Sequence, residues 1–205
     1  PPRSTLFPYT TLFRSIYTDG LVSLFAFGGI YAAGTFGWDT IRIGTFGIIL
    51  AIAGTFGGWI GGKLDDAFGP KRVITGSLII LLFAIVVILT VNKDSILFIP
   101  VAPPVPGGPL FAGVAERAYI VLGCLIGATG APLQAASRSL LIRLAPKDRI
   151  AQYFGLFALT GKVTSFIGPL LIGTITAATA SQKAGMAVLV GFFVVGLALL
   201  ARVRQ

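Results

Sequence analysis

Five side chains stand out because their chemistry is foreign to the apolar runs that carry them: Asp19, Gln134, Arg138, Lys162 and Thr164. A charge inside a bilayer costs at least about 2.5 to 3.5 kcal/mol on insertion scales, so it must find a partner, a water-filled path or a ligand. The work such groups can do is recognition and charge coupling. Ser-His catalysis and His-ligated metal chemistry are excluded, because the chain has no histidine. Its acids are few and scattered, which disfavours an intramembrane aspartyl protease, and no Gly-rich loop of nucleotide-binding spacing occurs. The expectation is a protein that is not an enzyme and uses no cofactor or metal.

Lys162, counted from Tyr153, lies roughly 13 Å below the cytoplasmic end of its run. Asp19 is the nearest intramembrane acid in the sequence, yet counted from Ile16 it is only about 5 Å deep. Were native residues before Ile16 lost, Asp19 would move inward and the two could pair. Lys162 and Asp19 are the first candidates for substrate binding or coupling, against the alternative of a static ion pair between helices. Gly127, Ala131, Gln134 and Arg138 follow at spacings that place them on one helix face. Pro132 should weaken that helix and free carbonyls, as broken helices do in midplane sites. Gln134 is then a candidate for substrate contact, and Arg138, nearer the cytoplasm, for a gate or lipid-phosphate anchor. Thr160, Thr164 and Ser165 are weaker candidates, since hydroxyls in membrane helices commonly bond to their own carbonyls.

The elements that must position these residues are membrane helices. Only 11% of the 205 residues are charged and 55% are hydrophobic, where a soluble domain carries about a quarter charged residues. A bilayer core of about 30 Å takes about 20 apolar residues in a helix. Six runs qualify: Ile16 to Trp38, Ile43 to Gly62, Val73 to Val91, Ala118 to Ile142, Tyr153 to Ala178 and Ala184 to Ala201. Between the third and fourth, Pro100, Pro103, Pro104, Pro106 and Pro109 forbid a helix and predict a stiff extramembrane connection. The third and sixth runs are almost wholly apolar and are expected to face lipid, whereas the other four carry small and polar residues expected to turn inward. Two inner helices and one outer, twice over, predict a three-plus-three inverted repeat. The pairs Gly54/Gly58, Gly57/Gly61, Gly58/Gly62 and Gly123/Gly127 offer flat strips for close packing.

Charge sets the orientation. Lys63, Lys71, Arg72, Arg138, Arg143, Lys147, Arg149, Arg202 and Arg204 fall on one face, and only Arg42, Lys93, Arg117 and Lys183 on the other. The first face should be cytoplasmic, with both ends of the chain inside. These basic loops account for the net charge of +9 without a nucleic-acid partner. The lone Cys124 lies within an apolar run and has no intrachain cysteine to pair with. Residues 1 to 15 stand apart: they repeat Thr-Leu-Phe, carry Arg-Ser near both ends and read as translated sequencing-adapter sequence fused to a truncated frame. On that reading the six-helix bundle spans residues 16 to 205.

The charged connection between the second and third runs holds Gly62, Leu64, Asp66, Gly69, Lys71 and Arg72. That spacing resembles the cytoplasmic loop motif of the major facilitator superfamily, with departures at Ala67 and Pro70, where the superfamily carries basic residues. The resemblance implies a structural latch at Asp66 and cytoplasmic anchors at Lys71 and Arg72. Tyr17-Thr18-Asp19-Gly20, Gln134-Ala135-Ala136-Ser137-Arg138 and Gly161-Lys162-Val163-Thr164-Ser165 are similar to the branch containing the vacuolar amino-acid effluxers of autophagy and their bacterial relatives. What this likeness implies is an all-α polytopic membrane protein, the C-terminal six-helix half of a twelve-helix secondary transporter whose N-terminal half is missing. Its partners would be the lipid bilayer and a small polar solute, amino acids included, with proton coupling. A bacterial inner membrane is the expected location ahead of a vacuolar one. A non-transporting membrane scaffold or assembly subunit is the alternative.

Overall fold

A computed structural model describes residues 3–102 and 110–202, with side chains from Leu12 onward. Seven helices make six spans: α1 (Arg3–Phe36), α2 (Thr40–Phe68), α3 (Pro70–Thr90), α4 (Val114–Leu144), α5 (Ile150–Val163) with α6 (Ile167–Thr179), and α7 (Gln182–Arg202). All six spans are long and apolar enough to cross a membrane. The protein is thus an all-α, multi-pass membrane protein. Pro103, Pro104, Pro106, Pro109 and Arg204, used above for the connection and the orientation, lie outside the described residues.

Several boundaries differ from the sequence reading, each for a local reason. The first helix begins at Arg3 rather than Ile16. The charged connection at 62–72 is not a loop: α2 runs on to Phe68, and α3 starts at Pro70. Lys63 through Phe68 contains no helix breaker, and Pro at the first helical position suits the start of α3. One residue, Gly69, makes the whole corner at φ 81° and ψ 158°, a region that essentially only glycine enters. After α3 comes a small hairpin, β1 (Ser95–Ile96) against β2 (Ile99–Pro100), antiparallel with Ile96 opposite Ile99. Its turn residues Leu97 and Phe98 sit at φ 50° and 65°, which a two-residue turn of the primed type demands. α4 ends at Leu144 because Ala145, preceding Pro146, is held extended.

The two prolines inside spans behave oppositely. Pro132 leaves α4 unbroken, which corrects the expectation of a weakened helix. It cannot bond to the Ala128 carbonyl, and that carbonyl instead abuts Gly57 of α2, where any Cβ would overlap it. Pro132 itself sits on Gly61 in the same manner, and Gly127 receives the Leu50 carbonyl of α2. Bare glycine backbones let α2 and α4 touch main chain to main chain. Pro169, by contrast, falls four residues after Ser165, and the span breaks over residues 164–166. Side chains repair the opened turn: the one proton of Thr164 Oγ1 is shared between the Thr160 carbonyl and Asp19 Oδ1, each at 3.1 Å, and Ser165 Oγ donates to the Lys162 carbonyl at 2.9 Å. The fifth run is therefore two helices, not one.

The bundle has an internal order. α1 packs on α7 and α5, α4 on α3 and α2, α3 on α7, and α1 on α4. Exchanging α1, α2 and α3 for α4, α5–α6 and α7 maps these neighbours onto one another. The wiring is that of the three-plus-three repeat. Within this chain, the most apolar 18-residue stretch of α3 is 44% buried and that of α2 11%. Leu78, Leu81, Ile85 and Ile88 of α3 and Leu189 and Phe193 of α7 belong to the core, while Ile79, Phe83 and Val194 on their far faces are exposed. Lipid tails are as apolar as leucine, so hydropathy cannot separate a lipid-facing helix from a protein-facing one.

Candidate functional site

Asp19 is 2% exposed and meets the break in the fifth span. Thr164 Oγ1 donates to its Oδ1 at 3.1 Å. Four residues on, Ser23 is fully buried on the same face of α1 and has no hydrogen-bond partner among the described residues. Gly168, at the start of α6, lies so close to Ser23 Oγ and the Asp19 carbonyl that a Cβ would overlap both. The break is thus seated on an acid and a hydroxyl. Contact with Thr164 also fixes the depth of Asp19, which lies level with the break and not about 5 Å deep as counted from Ile16.

Lys162 comes two residues before Thr164 but points the other way, onto the exposed face of α5. Among the described residues no carboxylate lies within ion-pair distance of it, so Lys162 and Asp19 do not pair. Counted from Ile150 it stands roughly 18 Å along the span, near the middle of a core about 30 Å thick.

Gln134 lines a cleft of about 510 Å³ bounded by α1, α2 and α4, whose walls are apolar and glycine-rich: Phe25, Gly29, Phe46, Gly54 and Gly130 among them. Arg138 continues the same face of α4 and is exposed. Asp19 meets Thr164 at the α1–α5 seam, and Gln134 and Arg138 share the α4 face. In the corner motif, Gly69 makes the turn, while Gly62, Leu64, Asp66 and Arg72 are exposed. It is the neighbouring Asp65 that buries a carboxylate oxygen without a hydrogen-bond partner among the described residues.

One cluster escaped the sequence reading. Glu116, 3% exposed, accepts from Trp38 Nε1 at 2.7 Å and from the Gly113 amide at 3.1 Å, with Arg42 at 3.7 Å. Trp38 is packed edge-on by Phe46, Phe111 and Tyr119. This knot ties the α1–α2 turn to the start of α4. An acid three residues after a glycine, at the start of an apolar run, was the available signal.

Comparison with known proteins settles the family. The family described as vacuole effluxer Atg22 like matches residues 9–205. The chain belongs to this Atg22-like family. Among its relatives, an uncharacterized MFS-type transporter of Bacillus subtilis (strain 168), YxiO, is 32% identical over 87 residues, 42% of this chain and 20% of that protein. Autophagy-related protein 22 of Kluyveromyces lactis is 40% identical over 77 residues, 38% of this chain and 16% of that protein. The same-named protein of Cryptococcus neoformans is 34% identical over 94 residues, 45% of this chain and 16% of its own length. The matched stretches thus amount to a fifth or less of these relatives. The relatives include one bacterial and several fungal proteins, and the family match covers every described span except residues 3–8 of α1.

Proposed function

We propose that this Atg22-like chain is the C-terminal half of a secondary transporter that moves a small polar solute by alternating access. The observation that carries the reading is Lys162, an exposed cation midway along a broken span with no carboxylate near it among the described residues. A charge at that depth needs a counterion or water, and a solute carboxylate, as in an amino acid, or an acid of a preceding half would supply one. Asp19 is the coupling group. Protonation would weaken its hold on Thr164 and release the α5–α6 break, so that proton binding and helix movement are linked. Gln134 and Arg138 line the entrance on the α4 face, with Asp66, Lys71 and Arg72 at the cytoplasmic rim. Both ends of the chain lie inside, in a bacterial inner membrane.

Uptake of radiolabelled amino acids by the full-length transporter containing this chain tests the proposal. Lys162→Met should abolish uptake, and Asp19→Asn should leave exchange but remove its pH dependence. Unchanged uptake and pH dependence in Lys162→Met would refute the reading. The chain alone, as residues 16–205 in liposomes, should not transport, since sites of this kind form between two halves. We also propose that residues 1–15 are foreign. The family match begins at residue 9 and reaches into this stretch, so a reading frame from an independent clone decides; one that retained these residues would overturn the idea.

A further inference from the structure

A second groove, of about 320 Å³, runs between α2, α3 and α4, bounded by α3 where the Gln134 cleft is bounded by α1. Gly61, Gly76 and Pro132 form part of its floor, and Ile60, Leu64 and Phe68 of α2 form an exposed apolar rim. From Gly57 to Phe68 it extends roughly 16 Å along α2, close to the ~15 Å of hydrocarbon in one leaflet of a ~30 Å core. Arg72 stands exposed at its mouth. There the groove meets a polar recess lined by Phe68, Lys71, Arg72 and Thr75. On the neighbouring face of α2, Trp59 is exposed and carries Lys63 Nζ 3.8 Å above its ring, an aromatic and basic pair suited to the membrane–water interface.

An apolar slot one leaflet deep, opening beneath a basic mouth, is complementary to one kind of molecule. We infer that this groove holds an acyl chain of an anionic phospholipid, with the headgroup phosphate at Arg72. The site depends on the chain being a multi-pass membrane protein and on this α2–α3 face opening to lipid and not to the preceding half proposed above; it is independent of what the protein transports. Gly69 supports it by making the corner with no side chain, which brings the Phe68 end of α2 and Arg72 of α3 to the same opening.

The test uses the full chain reconstituted in vesicles of phosphatidylglycerol and phosphatidylcholine, released into mild detergent and weighed intact by native mass spectrometry. The wild-type chain should retain one phosphatidylglycerol in preference to phosphatidylcholine. Arg72→Gln should reduce that retention about fivefold, the loss expected for one basic contact with an anionic lipid. Gly76→Leu, at a position where an added Cβ meets nothing within 4 Å, should fill the groove and displace the lipid without disturbing the fold. Arg149→Gln removes a basic residue already paired with Asp148 and should change nothing. Retention of the lipid by Gly76→Leu would overturn the site. So would an equal loss in Arg149→Gln, which would mean diffuse attraction to the surface, or equal binding of inorganic phosphate by wild type and Gly76→Leu with no lipid retained.

Discussion

Gly69 shows how much one residue can decide. Its backbone, at φ 81° and ψ 158°, lies where a Cβ costs on the order of 1–3 kcal/mol. Gly69→Ala should therefore lower the thermal unfolding midpoint in detergent, whereas Gly62→Ala, mid-helix with open space around it, should be neutral or slightly stabilising. Equal midpoints for the two variants would show that the corner needs no glycine. Glu116 works by a different principle. Its carboxylate satisfies the Trp38 indole and the Gly113 amide, and Glu116→Leu would leave both donors buried and unpaired at about 1–3 kcal/mol each. Glu116→Gln, which keeps an acceptor, should lose less. Of the residues named from sequence, Asp19 and Thr164 meet, while Lys162 and Asp19 do not. Sequence counting gives depth but not the side of a helix, and a break such as that at residues 164–166 rotates everything beyond it.

At the scale of elements, the informative contrast is between two prolines. Pro132 sits in a helix whose freed carbonyl has a glycine to lie against, and the helix stays whole. Pro169 has no such neighbour described for its freed turn, and the span opens, held by the hydroxyls of Thr164 and Ser165. Whether a proline breaks a membrane helix thus depends on the helix beside it. Six spans and their order were legible in the sequence, because twenty apolar residues in a row admit few other readings. Which spans are enclosed was not, since α3 and α7 bury residues indistinguishable from those they turn to lipid. At the α2–α4 seam, Gly57→Ala should place a methyl against the Ala128 carbonyl and separate the helices. Gly47→Ala, with nothing within 4 Å of its added Cβ, serves as its control. Disulfide crosslinking between cysteines placed at Gly58 and Ala131, where a Cβ added at Gly58 stands 3.4 Å from that of Ala131, should slow in the first variant and not in the second.

For the whole molecule, the exchange of α1, α2 and α3 for α4, α5–α6 and α7 preserves who touches whom but not how firmly. The α2–α4 seam is backbone against glycine along its length. Its counterpart, α1 against α5, centres on the single hydroxyl–carboxylate bond of Thr164 to Asp19, supplemented by Arg14, which donates to the Phe157 carbonyl and lies 3.7 Å over its ring. Arg14 belongs to the stretch proposed as foreign, so the native seam would be looser still. Hydrogen exchange in nanodiscs should find the amides of α5 exchanging well before those of α2, and deletion of residues 1–15 should widen the difference. Matching protection in the two helices would contradict this. The fold then has symmetric wiring and unequal compliance: when the bilayer thins or bends, strain should concentrate in α5, making the bundle a one-sided spring that yields at the acid-bearing seam while its glycine seam stays fixed.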